Sequence, residues 1–197
     1  GIANAEGTKS VDVMLEYDGQ AAPFTLFSLT EKVNLPALTA GRWPETAHEV
    51  LADDHVFHEA DIGAVLSMAE ENGDTAKEQL TTEQFTIVGL AKSPLYIGND
   101  RGTTNIGSGS LHGFLYTMED SFSGDAYTEV DLTLSETARI YSDRYDKLVS
   151  EYEETVSERC RELAEQRYDA LLSQYSVSPK IAAQMGIAEP EVYVLTR

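Results

Sequence analysis

The sequence predicts an α+β fold: a mixed, largely antiparallel β-rich domain with short helices, from which a long helix projects with a shorter returning arm. Three observations carry that expectation. Before residue 138 the chain is a series of short runs rich in β-branched and aromatic residues, each bounded by Gly, Pro, Asn or Asp. After Ser135 the character changes, and residues 142 to 175 contain neither Gly nor Pro. Near the end a short apolar run, Val192-Tyr193-Val194-Leu195, follows Pro190. The division expected is therefore a β-rich core over 1–138, a helical projection over 139–189 and a closing strand over 190–197.

Taken in order, residues 1–10 are small and polar and predict a poorly ordered entry. Val11, Val13 and Leu15 alternate with Asp12, Met14 and Glu16, the pattern of a half-buried strand. The turn formers Asp18-Gly19 then lead into Phe24 to Leu29, which predicts a hairpin. Pro36 keeps the Thr30 to Pro36 stretch out of a central strand. Gly41 to Ile97 organises the rest of the core: Gly41-Arg42-Trp43-Pro44 forms a turn, followed by strands at His48 to Leu51, Ala64 to Met68 and Phe85 to Leu90.

Between those strands, Asp53 to Ala60 reads as a short helix capped by Asp53 or Asp54, with Val56, Phe57 and Ala60 inward. Glu70 to Leu80 reads as a surface loop. The Gly-, Ser-, Thr- and Asn-rich stretch from Gly98 to Ser110 is a loop too. Leu111 to Met118 is a strand, Met118 to Phe122 a single helical turn, and Tyr127 to Leu134 an alternating strand whose apolar face, Val130, Leu132 and Leu134 with Thr128, is expected to cap the core. In the helical stretch, Tyr145, Val149, Tyr152, Val156, Cys160 and Leu163 recur at steps of three and four, and Leu171, Leu172 and Tyr175 extend the stripe. A helix of this size is on the order of 50 Å long. Ser178-Pro179 starts a short returning helix that ends at Gly186.

The formal charge is −20 and the pI near 4.4. Such a balance argues against nucleic acid, whose phosphates require clustered Lys and Arg, and against lying flat on anionic lipid. A single cysteine, Cys160, excludes an internal disulfide. No apolar run of about 18 residues occurs, so this stretch does not itself span a bilayer. The start, GIANAEGTKS, lacks the basic and apolar regions of a secretory signal.

For chemistry, the densest cluster is His48, Glu49, Asp53, Asp54, His55, His58 and Glu59, where His55 and His58 would share one face of the expected helix and could ligate a metal. Ala52 stands where the zincin pattern places its second histidine, and helix caps with surface histidines explain the same residues. The glycine-rich stretch is no P-loop, because no Lys lies between Lys92 and Lys147. Cys160 falls on the apolar stripe and reads as a small hydrophobe. Gly107-Ser108-Gly109 does not complete a nucleophile elbow. No catalytic residue, metal or cofactor is assigned. Among the tyrosines of the helical stretch, Tyr152, Tyr168 and Tyr175 are candidate partner contacts.

One resemblance orders these motifs. Gly41-Arg42-x-Pro44, Glu49-Val50-Leu51-Ala52, Ile62-Gly63 and Phe85-Thr86-Ile87-Val88-Gly89, followed by Ser93-Pro94-Leu95-Tyr96-Ile97, Arg101-Gly102-Thr103-Thr104, Ile106-Gly107-Ser108-Gly109 and Tyr127-Thr128-Glu129-Val130, resemble the extracytoplasmic, MacB-like domain of FtsX-like ABC transporter permeases from Gram-positive bacteria. Where that family usually has Gly-Asp, this chain carries Ile62-Gly63-Ala64. The resemblance implies a non-catalytic segment outside the bacterial membrane, lying between two transmembrane helices. It implies a separate cytoplasmic ATPase subunit as partner, with a second permease copy or an extracellular protein as further candidates. It also implies that a coiled-coil insertion, whose second arm is abbreviated here, carries movement between ATP hydrolysis and the outside. A free-standing secreted binding or adhesion module, and a metal-dependent hydrolase using the His48 to Glu59 cluster, are the alternatives.

Overall fold

A computed structural model of the chain describes residues 1–174 and residue 181, apart from the side chain of Thr75. The chain divides into two compact units, 1–135 and 136–197. The expected returning helix apart from Ile181, the closing strand and Tyr175 lie outside the described residues.

In the first unit the strands are β1 (Ile2–Thr8), β2 (Ser10–Tyr17), β3 (Gln20–Ser28), β4 (Ala37–Gly41), β5 (Glu49–Asp53) and β6 (Val65–Met68), then β7 (Gln84–Lys92), β8 (Gly113–Thr117) and β9 (Glu129–Leu134), with a one-turn helix α1 (Asp74–Glu78) between β6 and β7. The principal sheet runs β4-β7-β5-β8-β3-β2-β6, and β6 also pairs with β7. Because β5 holds one edge of β7 from Thr86 to Ala91, β6 and β4 share its other edge, β6 from Gln84 to Thr86 and β4 from Gly89 to Lys92. Six strands thereby close into a ring. Closure leaves no open edge among those six, the general advantage of a barrel over an open sheet. Two of the pairings, β3 with β8 and β5 with β7, are parallel, and the rest are antiparallel. The sheet is mixed and largely antiparallel, as the sequence predicts.

The β2–β3 hairpin forms at the expected turn. Asp18 and Gly19 both adopt positive φ, 51° and 72°, the left-handed pair that a two-residue hairpin needs. Pro23 lies inside β3 opposite Met14. It costs no ladder bond, because its position points past the start of β8, where its carbonyl accepts from the His112 amide at 2.8 Å. Met14, for its part, exchanges bonds with a side chain: its N–H donates to Asn72 Oδ1 (2.8 Å) and its carbonyl accepts from Asn72 Nδ2 (2.7 Å). Asn72 thus stands in for a neighbouring strand.

Inside the ring lie Val13, Leu15, Phe24, Leu26, Val50, Ala52, Leu66, Phe85, Ile87 and Leu115. Outside it, a second cluster is built from Leu51, Ala91, Phe114 and Tyr116, with Phe27, Leu38 and Tyr96 against them. Strands covered on both faces read as continuous apolar runs, which is why β5, β7 and β8 lack a polar alternation.

Several expectations are corrected. Residues 1–10 are not a loose entry: Ile2–Thr8 is a strand paired with β9, a partner so distant in sequence that no local signal announces it. Asp53 to Ala60 is not a helix, because Asp53 ends β5 and its Oδ1 accepts the His55 N–H (3.0 Å), turning the chain before a 3-10 turn at Glu59–Asp61. Within the expected loop 70–80, α1 forms. The apolar face of β9 does not cap the core, for β1 and β9 make a separate ribbon with Val130 60% and Leu132 36% exposed.

The second unit contains α2 (Asp143–Gln174) of 32 residues, close to the expected 142 to 175. Ser142 caps it, its Oγ accepting the Tyr145 N–H at 3.2 Å, with Asp143 and Asp146 in the first turn, where the helix dipole favours negative charge. Leu148 and Leu172 are its buried residues. Between them the half-buried positions include Tyr152, Val156, Cys160, Ala164 and Tyr168 at steps of four, with Val149, Ser157 and Leu171 beside that line. Leu163, expected in the stripe, is 46% exposed. A step of four overshoots the helical repeat of 3.6, so the covered band winds around α2 instead of running straight.

Candidate functional site

Three of the ordered motifs, those of Gly41-Arg42, Glu49 to Ala52 and Gly89, meet at one backbone crossing. Gly41, at φ 75°, ends β4 directly against β7, where a Cβ would strike the Val88 carbonyl and the Gly89 Cα. From the other side, a Cβ on Gly89 would come within 2.5 Å of the Arg42 carbonyl and 2.9 Å of the Ala40 carbonyl. Only glycine allows approach this close. Beyond the crossing, the Arg42 guanidinium grips the Glu49 carboxylate with both terminal nitrogens, and Glu49 Oε2 also accepts the Glu45 N–H at 2.8 Å. The clip closes the loop that delivers β5 between β7 and β8. The Arg42 bonds, and after them the Glu45 amide, hold the Glu49 carboxyl at about 2.

A second construction covers the outer face of the ring. Asp53, fully buried, receives Arg101 Nε at 2.5 Å and Nη2 at 2.9 Å, while Nη1 donates to the Gly98 carbonyl. The guanidinium lies over Tyr96 (5.2 Å) and Phe114 (5.5 Å), whose rings stack at 5.4 Å. Thr104 Oγ1 bonds Asp12 Oδ2 at 2.7 Å. The loop from Gly98 to Ser110, expected as a surface connection, is therefore pinned at two points. Beside the first pin an open hollow of about 480 Å³ is rimmed by Asp54, His55 and Lys92. Its carboxylates are already engaged, Asp53 by Arg101 and Asp54 by Lys92 at 3.9 Å.

The His48 to Glu59 cluster disperses. His48 Nδ1 is 2.7 Å from Thr82 Oγ1, and His58 lies at the 3-10 turn, where its N–H donates to Asp61 Oδ2 at 2.8 Å. Asp61 also accepts the Tyr17 hydroxyl at 2.6 Å, which lowers its pKa. Glu49 and Asp53 serve the two constructions above. Among the described residues no group of three His, Cys, Asp or Glu side chains could hold a metal ion. The shared His55 and His58 face needed the helix that Asp53 prevents.

Tyr152 and Tyr168 both lie on the winding band of α2, half-buried. What the sequence reading missed is the Asp53–Arg101 pair. Its signals were an aspartate closing an otherwise apolar strand and the lone cation of a glycine-rich loop. The glycine crossing is half visible in the sequence: Gly41 opens a turn and Gly89 ends the Phe85 to Gly89 motif, but nothing local pairs the two.

Among the described residues no helix is long and apolar enough to cross a membrane. No protein-family model matches the chain, and no curated protein matches it by sequence. Among the solved structures similar to it are two extracytoplasmic domains. The extracellular domain of the noncanonic ABC-type transporter YknZ from Gram-positive bacteria is 9% identical with a TM-score of 0.43, over 70% of this chain and 67% of that one. The periplasmic region of MacB from Actinobacillus actinomycetemcomitans is 14% identical with a TM-score of 0.44, over 79% of this chain and 67% of that one.

Proposed function

We propose that this chain is the non-catalytic extracellular domain of an FtsX-like ABC transporter permease, coupling ATP hydrolysis by a separate cytoplasmic subunit to export or to regulation of a partner outside the membrane. One observation carries the reading. The scattered residues of the resemblance, Gly41, Arg42, Glu49 to Ala52 and Gly89, converge on a single crossing where each has a physical task. A motif series that is structural explains why its residues recur without forming an active site. The chemistry fits the same reading, because the charged side chains nearest the motifs neutralise one another in pairs.

In this proposal α2 is the mechanical element. A continuous run of internal backbone bonds carries displacement along its length without local melting. Tyr152, Tyr168 and Tyr175 are its proposed contacts with a partner, which is a second permease copy or an extracellular protein.

Two measurements on the full-length protein in cells test it. A cysteine at the fully exposed Ile97 should react with a membrane-impermeant maleimide in intact cells. Deleting 142–186 should abolish transport or signalling while the ATPase subunit still assembles with the membrane part. Protection of the Ile97→Cys site until lysis, or normal transport after the deletion, would count against the proposal.

A further inference from the structure

Asn72 extends the narrowest seam of the ring. β2 meets β6 through two residue pairs, Leu15 with Met68 and Glu16 with Ser67, whereas every other junction of the six strands has three or more. Past the end of β6 the Ala69 N–H reaches the Met14 carbonyl at 3.0 Å, and the buried Asn72 side chain continues the seam from there. Besides its two bonds with Met14, its Nδ2 donates to the Ala69 carbonyl at 2.9 Å. Three hydrogen bonds thus fix one carboxamide.

The next residue gives this side chain a reactivity of its own. Asn72-Gly73 is the only Asn-Gly pair in the sequence; the other four asparagines precede Ala, Leu, Asp and Ile. Glycine lacks the Cβ that crowds the amide nitrogen in other residues, so an asparagine before it cyclises most readily. The Gly73 nitrogen gives up its proton and bonds to Asn72 Cγ, and Nδ2 takes a proton and leaves as ammonia. Water then opens the resulting succinimide to aspartate or isoaspartate. The fold does not require this glycine. Gly73 does not adopt a positive φ, and a Cβ there would have nothing within 4 Å. Its carbonyl accepts the Ala76 N–H at 3.1 Å at the start of α1, a task open to any residue.

Native bonding opposes the reaction. The leaving nitrogen, Nδ2, itself carries two of the three bonds, and Cγ cannot turn tetrahedral while both ends of the carboxamide are held. A local opening of the seam releases it. The product cannot close the seam again, because a carboxylate has no N–H for the Met14 and Ala69 carbonyls and adds a negative charge to a stretch that already carries Glu70, Glu71 and Asp74. Isoaspartate also inserts a methylene into the main chain. We infer that Asn72-Gly73 is a fold-gated modification site, silent while the β2–β6 seam is closed and converted to aspartate or isoaspartate when it opens, after which the seam stays weakened.

The test follows the whole chain by peptide mass spectrometry during incubation at one pH, in buffer and in denaturing urea. Asn72 should deamidate more slowly in buffer, by about tenfold or more. Gly73→Ala should suppress the reaction in urea and melt like the wild type, and Asn72→Asp should melt about 5 °C lower. If Asn72→Asp does not fold, the deamidated fraction of the wild type, separated by its added charge, supplies the melt. Equal rates in buffer and in urea would overturn the inference. So would an aspartate form that melts with the wild type, or a Gly73→Ala melt as low as that of the aspartate form.

Discussion

Gly41 and Gly89 face each other across β4 and β7, and neither position has room for a side chain. The crossing is where the shared edge of β7 passes from β6 to β4, so strain introduced there reaches the ring closure directly. Gly41→Ala adds a left-handed φ penalty to the clash with Val88, and Gly89→Ala pushes into the Arg42 and Ala40 carbonyls. Each should destabilise the chain by about 2 kcal/mol or more. Urea unfolding of the single variants checks this.

The Arg42–Glu49 clip predicts an acid limb. Glu49 titrates at about 2 in the fold, below its ordinary value of 4.5. Its contribution is therefore complete above pH 4.5 and is lost as pH falls towards 2. The stability difference between the wild type and Glu49→Gln should be constant at neutral pH and shrink over that window. A difference that persists unchanged at the acid end would show that the clip contributes nothing through charge.

Tyr116 predicts the opposite limb. Burial, opposed by its bond to Ser93 (2.7 Å), pushes the hydroxyl up to about 12 from an ordinary value of 10. With the folded value raised, the contribution is complete below pH 10 and is lost as pH rises through 12. Tyr17 and Tyr96 are raised as well, so ultraviolet difference titration should show several late tyrosines and lose one of them in Tyr116→Phe, and that variant should resist alkali better than the wild type.

Breaking the Asp53–Arg101 pair strands a buried carboxylate. Arg101→Ala should cost about 3 kcal/mol and open the Gly98 to Ser110 loop to limited proteolysis. The joint replacement Asp53→Leu with Arg101→Met should be much milder, since no charge is then left unpaired. Equal losses in the two would mean that the pair matters only for packing.

Thr30 presents the reverse case. Among the described residues its Oγ1 is buried without a hydrogen-bond partner, beside a cavity of about 20 Å³ lined by Thr8, Ser28 and Asp131. Thr30→Val removes the unsatisfied hydroxyl at nearly constant shape and should raise stability by about 1 kcal/mol. Thermal melting under one buffer condition decides it.

The sequence by itself determined what local physics can write: the period-two run of β2, the β-branched and aromatic runs of β3, β7 and β8, the left-handed turn at Asp18-Gly19, and the Gly- and Pro-free run that becomes α2. Each depends on contacts between near neighbours in the chain. Tertiary structure alone decided which strands meet and which face is inside. The ring closes because β6 and β4 divide one edge of β7, β1 becomes a strand only because β9 reaches it, and the β9 apolar face turns outward because Glu6 and Thr8 find their partners on the other side. Alternation fixes that two faces differ, and only the distant hydrogen-bond partners fix which one is buried.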